Sequence, residues 1–177
     1  MTDYLIGLGH RRIGFIRGPL EHGASQERYE GFRDAVAGAG LDFDASLVAE
    51  GEFTYRSGLE CAETLLGRAD RPTAIFASND DMAVAVIALA HKYNLDVPRD
   101  LTVTGFDDTQ TATAVWPQLT TVRQPISDMA SSAIELLAAE LDSRAGGGEA
   151  KPVSPIEIRS TVIERDSSRP PAGQGAS

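Results

Sequence analysis

RPTAIFASNDDMA, residues 71–83, is the stretch that decides the fold. It begins with a short apolar run, TAIFA at 73–77, which is followed at once by polar residues and then by helical periodicity. Either Asn79 or Asp80 is suited to cap that helix. Its apolar positions include Met82, Val86 and Leu89. A buried strand that leads through a capped turn into a helix is the unit from which parallel sheets are built.

The same strand–turn–helix pattern recurs on both sides of this stretch. Predicted strands lie at 12–17, 47–51, 73–77, 101–105, about 119–123 and 155–163. Predicted helices lie at about 26–38 with Ser25 as the cap, at about 56–67, after Asn79, and from Pro125 onward. A polar loop is expected from 106 to 117, and Gly146 to Gly148 are expected to form a flexible break. The alternation predicts an α/β fold, an open, mostly parallel, doubly wound sheet with helices on both faces.

Length and composition restrict the class of protein further. The 177 residues fit one domain or two small ones, and 42% hydrophobic with 24% charged residues is typical of globular proteins. Sixteen Lys and Arg against 26 Asp and Glu give a net charge of −10, which argues against a dedicated nucleic-acid surface in this part of the protein. The single cysteine, Cys61, excludes an internal disulfide and a cysteine-rich zinc site.

No segment predicts export or membrane insertion. Apolar runs stay well short of the ~18 residues that a membrane-spanning helix needs. The first residues, MTDY, do not start a signal peptide. We therefore expect a cytoplasmic protein without a membrane partner.

Ligands of doubly wound sheets bind outside the carboxyl ends of the strands. The candidate ligand-binding residues that follow the predicted strands are Arg28, Phe53, Asn79, Asp107 and Gln124. Carboxylate and amide oxygens accept from hydroxyl groups, amide nitrogens donate back, and an arginine can bridge two neighbouring oxygens. An aromatic ring can cover the apolar face of a sugar or stack on a base. This set of side chains predicts a site for a small polyhydroxylated ligand.

Each of these residues also suits a local structural role. Asn79 and Asp80 suit helix caps, Asp107 and Asp108 suit a turn, and Phe53 suits the core. The arginine suits an exposed helix face, and a glutamine before a proline is common in loops. Their joint placement at one edge favours the binding interpretation.

The acidic residues leave an enzymatic alternative open. Asp80, Asp81, Asp107 and Asp108 follow neighbouring strands and could hold Mg²⁺ for a hydrolase, since hard oxygen ligands suit that ion. The lysine that phosphoryl transfer would use is missing near them. The chain contains no GxxxxGK[ST] loop, no GxSxG and no HExxH motif, and we expect no cofactor and no enzymatic activity.

Six strings, in this order along the chain, resemble the LacI/GalR family of bacterial transcription regulators. They are LIGLGHRRIGFIRGP (5–19), SQERYEGFRDAV (25–36), GEFTYRSG (51–58), RPTAIFASNDDMA (71–83), VPRDLTVTGFDDT (97–109) and LTTVRQPISDMA (119–130). They cover the chain almost from end to end. One departure is Ala85, where the family often has glycine.

The resemblance implies a periplasmic-binding-protein-like core without its first half. Residues 1–124 and 151–165 would form the C-terminal subdomain of the effector-binding core. Residues 125–150 would be a helix of the N-terminal subdomain, with its apolar stripe exposed. Residues 166–177, rich in Ser, Pro and Gly, are expected to be a disordered tail.

The resemblance also implies a function and partners. A sugar or purine-like effector would bind between the subdomains, with Arg28 and Asp107 bonding its polar groups and Phe53 stacking. Asn79 and Gln124 would complete the polar ring. Operator DNA would be bound only through a helix-turn-helix headpiece that we expect this chain to lack, and a homodimer is expected. A sugar-binding protein for transport and a truncated reading frame without an independent role remain alternatives.

Overall fold

The computed structural model describes residues 1–145 and 156–171. Its helices are α1 Thr2–Gly7, α2 Gly23–Gly38, α3 Tyr55–Leu66, α4 Asp80–Lys92, α5 Gln110–Ala114 and α6 Ile126–Ala145. Its strands are β1 Ile13–Arg17, β2 Val48–Glu50, β3 Ala74–Ala77, β4 Thr102–Thr104, β5 Thr121–Arg123 and β6 Thr161–Ile163. The predicted Gly146–Gly148 break lies outside the described residues.

Four strands form a parallel sheet in the order β2-β1-β3-β4. Phe15 of β1 lies beside Val48 of β2 and Phe76 of β3, and Phe76 lies beside Thr104 of β4. The chain runs from β1 to one side of the sheet and then returns past β1 to the other side. The order therefore reverses between β1 and β3, where doubly wound folds place their ligands. This confirms the predicted α/β class with its mostly parallel sheet.

Successive side chains of a strand point to opposite faces of the sheet, so the sheet has one hydrophobic core on each face. Phe15 and Phe76 pack with Leu5 of α1 and Phe32 of α2 on one face. On the other face, Ile16, Ile75 and Val103 pack with α3 and α4. Because β1 and β3 are buried on both faces, they read as continuous apolar runs rather than as an alternating pattern.

Helix α3 lies so close to α4 that a side chain would not fit at Gly58. A Cβ atom there would lie 2.7 Å from the Cα of Met82 and 2.8 Å from the Cβ of Ala85. Ala85, the position where the LacI/GalR family often has glycine, is therefore part of the closest approach of the two helices.

Three local predictions of secondary structure are wrong. Of the strand predicted at 155–163, only Thr161–Ile163 form a strand within the described residues. Helix α2 starts at Gly23 with His22 as its N-cap, so Ser25 does not cap it. The Ser25 hydroxyl instead donates to the carbonyl of Gly18, at 2.6 Å, and so fixes the loop after β1. The segment expected to be a polar loop contains the short helix α5.

The segment from Asp166 to Arg169 is ordered, so the predicted disordered tail does not begin at 166. Ser167 is fully buried, its amide donates to the carbonyl of Gln118, and its carbonyl accepts from the amide of Val103. The ring of His10 contacts the carbonyl of Arg169 at 2.9 Å. Hydrogen bonds to distant strands, which composition does not report, hold this segment. Residues 172–177 of the predicted tail lie outside the described residues.

The described chain divides into two compact units, Met1–Val122 with Val162–Ser177 and Arg123–Thr161. Helix α6 makes up most of the second unit. The large apolar side chains that it exposes are Ile126, Met129, Ile134, Leu137 and Leu141. Exposure of its apolar stripe agrees with the sequence analysis. No helix within residues 1–145 and 156–171 is long and apolar enough to cross a membrane.

The approach of α3 to α4 predicts opposite effects for two glycine substitutions. Gly58→Ala is expected to lower the free energy of unfolding by about 1–3 kcal/mol, because backbone atoms of Met82 block the added methyl group. Gly31→Ala, in α2, meets nothing within 4 Å and is expected to raise stability by about 0.5–1 kcal/mol. Urea unfolding followed by circular dichroism measures both. Equal stability of the two variants would contradict the proposed packing.

Candidate functional site

The carboxyl ends of β1, β3 and β4 bring the candidate side chains to one edge of the sheet. Gly18 follows β1, Ser78 and Asn79 follow β3, and Phe106 and Asp107 come soon after β4. The hydrogen bond from the Ser78 amide to the carbonyl of Ile16 continues the β1–β3 ladder up to this edge.

Arg28 of α2 connects two of these strand ends. Its Nη1 donates to the carbonyl of Ser78 at 2.6 Å, and its Nη2 lies 3.5 Å from Oδ1 of Asp107. Its Cζ stands 3.9 Å from the ring centroid of Phe106, a cation–π geometry. Burial lowers the pKa of Arg28, while the nearby Asp107 charge acts in the opposite direction. The guanidinium stays cationic, because arginine is effectively always protonated in proteins.

Asp107 and Asp108 adopt a backbone conformation that is uncommon for residues with a side chain. Their φ angles are 112° and 56°. Residues held in such regions cost about 1–3 kcal/mol each and tend to occur at functional sites. The Asp107 amide donates to the carbonyl of Val122 at 2.9 Å, and the side chain of Asp108 pairs with Arg165 at 2.6 Å. The turn points the Asp107 carboxylate toward Arg28.

Asn79 caps a helix, as one of its two interpretations from the sequence predicted, and the other end of its side chain also bonds the protein. Its Oδ1 accepts from the amide of Met82 at 3.0 Å and caps α4. Its Nδ2 donates to the carbonyl of Phe53 at 2.9 Å. The same amide group therefore caps a helix and fixes the loop that carries the aromatic residue.

Phe53 lies at the edge of the sheet because residue 18 is glycine. A Cβ atom at Gly18 would lie only 2.1 Å from the nearest ring carbon of Phe53. Phe53 has a φ of 58°, and its ring is partly exposed, with the ring of His22 6.0 Å away in an edge-on arrangement. The ring is therefore available to cover an apolar ligand face while it packs on backbone.

Four of the five predicted residues belong to the first unit and form a connected row. Asp107 contacts Arg28, Arg28 bonds Ser78, and Ser78 is followed by Asn79, which bonds Phe53. Gln124 belongs to the second unit, where its carbonyl accepts from the amide of Ile126 at 2.9 Å. Its place in a site stays a prediction.

The carboxylates considered for Mg²⁺ are engaged with the protein. Asp80 is fully buried and accepts from the hydroxyl of Thr121 at 2.6 Å and the amide of Thr109 at 2.7 Å. Burial raises the pKa of Asp80, and these hydrogen bonds oppose the increase. Within the part of the chain that the structure describes, no group of three or more His, Cys, Asp and Glu side chains could hold a metal ion.

Sequence reasoning did not assign Phe106 or Arg165 to the site. Phe106 lies two residues after the end of β4, so its position near a strand end could have indicated it. Arg165 pairs with Asp108 across 57 positions, and nothing local in the sequence predicts that contact.

A parallel sheet whose strand order reverses beside such a row of polar side chains is typical of doubly wound domains that bind small molecules. Residues 2–168 match the family model described as periplasmic binding protein-like domain. The chain belongs to this family.

The relatives that it resembles are regulators of transcription. It is 42% identical over 134 residues to catabolite control protein A of Priestia megaterium, which covers 75% of this chain and 40% of the relative. It is 39% identical over 136 residues to the ribose operon repressor of Escherichia coli K12, with 77% and 41% covered. The chain therefore spans less than half the length of these curated relatives. Its homologues confirm the resemblance to LacI-family regulators.

Solved structures agree with the fold. A complex of the transcriptional regulator CelR with cellobiose superposes with a TM-score of 0.85 at 36% identity, covering 94% of this chain and 50% of that one. A sugar-binding LacI-family regulator from Escherichia coli, complexed with phosphate, gives a TM-score of 0.83 at 35% identity, with 96% and 59% covered.

The two contacts of Asn79 can be separated by substitution. Asn79→Ala is expected to lower the free energy of unfolding by about 1–2 kcal/mol, since the α4 cap is lost. Asn79→Asp keeps an oxygen that accepts from Met82 and places a negative charge at the helix N-terminus, so most of the stability should remain. The aspartate side chain cannot donate to the carbonyl of Phe53, so the backbone amide resonance of Phe53 should shift. Urea unfolding and ¹⁵N–¹H spectra measure these effects. Equal loss of stability in both variants would contradict the capping role.

Proposed function

We propose that this chain is the effector-binding part of a LacI-type transcription regulator and that its effector is a sugar or a similar small polar metabolite. The observation that carries the proposal is the row from Asp107 through Arg28 and Asn79 to Phe53 at the switch point of the sheet. It combines a cation, a carboxylate, an amide and a partly exposed ring, which suits a ligand with hydroxyl groups and one apolar face.

Each side chain has a proposed role toward the effector. Arg28 donates to ligand oxygens, and Asp107 accepts from hydroxyl groups or from a ring N–H. Phe53 packs against the ligand face. Asn79 contributes mainly by fixing Phe53, since both ends of its amide already bond the protein. Gln124 is proposed to complete the polar ring.

The remainder of the proposal concerns a longer regulator. Residues 1–124 and 151–165 would belong to its C-terminal subdomain and 125–150 to its N-terminal subdomain. The division after Val122 supports the first boundary, whereas residues 156–161 group with α6 and not with the first unit. Operator DNA would be bound by a separate headpiece. The effector would shift the population between two closures of the core, which requires different affinities for the two closures.

A regulator is favoured over the other candidate functions. The similar proteins are regulators of transcription, not enzymes or transport proteins. Asp80 and Asp108, on which a Mg²⁺-dependent hydrolase would rely, are engaged with Thr109, Thr121 and Arg165. We propose a cytoplasmic, non-enzymatic role, by analogy with these regulators.

Calorimetric titration of the chain with cellobiose, D-ribose, D-glucose and a purine base tests the site. At least one compound is expected to bind. Arg28→Ala and Asp107→Ala should each weaken binding by about 10- to 100-fold, because a hydrogen bond to a charged group contributes about 1.5–3 kcal/mol.

Arg56→Ala is the matched control, because the Arg56 side chain is 91% exposed on α3 and pairs with its helix neighbour Glu60. It should leave affinity unchanged. Binding that survives both Arg28→Ala and Asp107→Ala at full strength would rule out the assigned site.

We also propose that the chain forms a homodimer, and Trp116 is the side chain that supports it. Its side chain is 77% exposed, the largest exposure among the described large apolar residues. Exposed tryptophans of this kind are enriched at interface centres. Sedimentation equilibrium should show a dimer that Trp116→Ser weakens and that the control Tyr93→Ser leaves intact. A parent chain that is monomeric at every concentration tested would exclude the dimer.

A further inference from the structure

Two distant segments hold the turn that carries the Asp107 carboxylate. The chain leaves the first unit after Val122 and re-enters it at Val162. The Asp107 amide donates to the carbonyl of Val122, directly before the exit. The Asp108 carboxylate pairs with Arg165, three residues after the re-entry. The segment that leaves the first unit and the segment that re-enters it therefore both contact the Asp107–Asp108 turn.

Arg165 is itself held in a fixed position. Its Nη2 donates to Oδ1 of Asp108 at 2.6 Å, and its Nη1 donates to the carbonyl of Leu119 at 2.7 Å. Its backbone amide donates to the hydroxyl of Thr120 at 2.9 Å. The side chains of Arg165 and Asp108 are only 13% and 6% exposed. Charge-assisted hydrogen bonds shielded from water in this way are strong and directional.

The left-handed conformation of Asp107 and Asp108 needs such support. Their φ angles of 112° and 56° place both residues where side chains are disfavoured, so the surrounding contacts must impose the turn. If Arg165 were removed, the nearly buried Asp108 carboxylate would lose its cationic partner and would gain by moving toward water. Because Asp107 is the preceding residue, its carboxylate would move away from its position 3.5 Å from Arg28.

We propose that Arg165 is a positioning residue for the Asp107 carboxylate and that it tunes effector affinity without touching the effector. The effector part of this statement rests on the proposed function; the positioning of Asp107 does not. The two ends of the ion pair can be tested separately.

The test is amide hydrogen exchange of the full chain, followed by NMR. Arg165→Gln removes the charge, and Asp108→Asn breaks the same pair with a residue that readily tolerates positive φ. In both variants the Asp107 amide is expected to exchange at least ~10-fold faster than in the parent chain, because its bond to Val122 opens locally. The Ser78 amide, which donates to Ile16 at 2.8 Å in the sheet, should keep its rate and serves as the internal reference.

Two further variants distinguish positioning from general support of the fold. Arg169→Gln changes an exposed arginine of the same segment and should leave both exchange rates as in the parent. Arg165→Lys restores the charge beside Asp108 but not the two-pronged contact, so protection of the Asp107 amide should recover in part. An Asp107 amide that is unchanged in Arg165→Gln and Asp108→Asn overturns the proposal. So does a Ser78 rate that rises together with that of Asp107 in both variants.

The exchange measurement needs no ligand, so its result is independent of the proposed function. A chain that binds none of the tested sugars and bases, yet shows the local exchange pattern, would contradict the proposed function and retain the positioning role of Arg165. Where cellobiose or D-ribose binds the parent chain, Arg165→Gln should weaken that binding about 10-fold. Arg169→Gln should not. Unchanged affinity in Arg165→Gln would contradict the tuning role.

Discussion

The shared carboxyl-terminal edge of the parallel strands is the constraint on which the rest of the structure depends. Because β1 lies between β2 and β3, the two segments that leave its neighbourhood pass over opposite faces of the sheet. Helix α2 therefore reaches the edge from one side and the α3 loop from the other. Arg28 and Phe53 approach the ends of β1 and β3 from these two sides.

A second constraint is that the buried side chains of Asn79 and Asp80, just after β3, are hydrogen-bonded within the protein. Asn79 caps α4 with its oxygen and fixes Phe53 with its nitrogen, so neither end of the amide is left over. Asp80 likewise accepts from Thr109 and Thr121. Unmade hydrogen bonds would cost about 1–3 kcal/mol each. These two residues at the candidate site thus stabilise the helix and loops around it.

Much of the fold could be predicted from the sequence, and so could four residues that the structure brings together at the candidate site. The run TAIFA is apolar because β3 is buried on both faces, and Asn79 follows it because α4 needs a cap. Burial of a strand and capping of a helix each require particular residue types at neighbouring positions, and these residue types are visible in the sequence as a local pattern. Strand ends could be located from that pattern, and topology then brought Arg28, Asn79 and Asp107 together. The prediction that Ser25 caps α2 is wrong because the Ser25 hydroxyl donates to the carbonyl of Gly18 and Ser25 lies inside the helix, not at its start.

The parts that could not be predicted depend on contacts between residues that are distant in sequence. Ser167 and Arg165 lie in or beside a stretch whose Ser, Pro and Gly content is typical of disorder. The structure orders them because Val103, Thr120 and Asp108 offer hydrogen-bonding groups at the right distance. The composition of a segment indicates how much apolar surface it can bury. It does not show whether a distant part of the fold offers a hydrogen-bond donor or acceptor to that segment. The same limit applies to the Asp107 turn, whose conformation is imposed by Val122 and Arg165. The local sequence pattern therefore indicates which residues lie at the candidate site. The geometry of the Asp107 turn depends on Val122 and Arg165, which are distant in sequence.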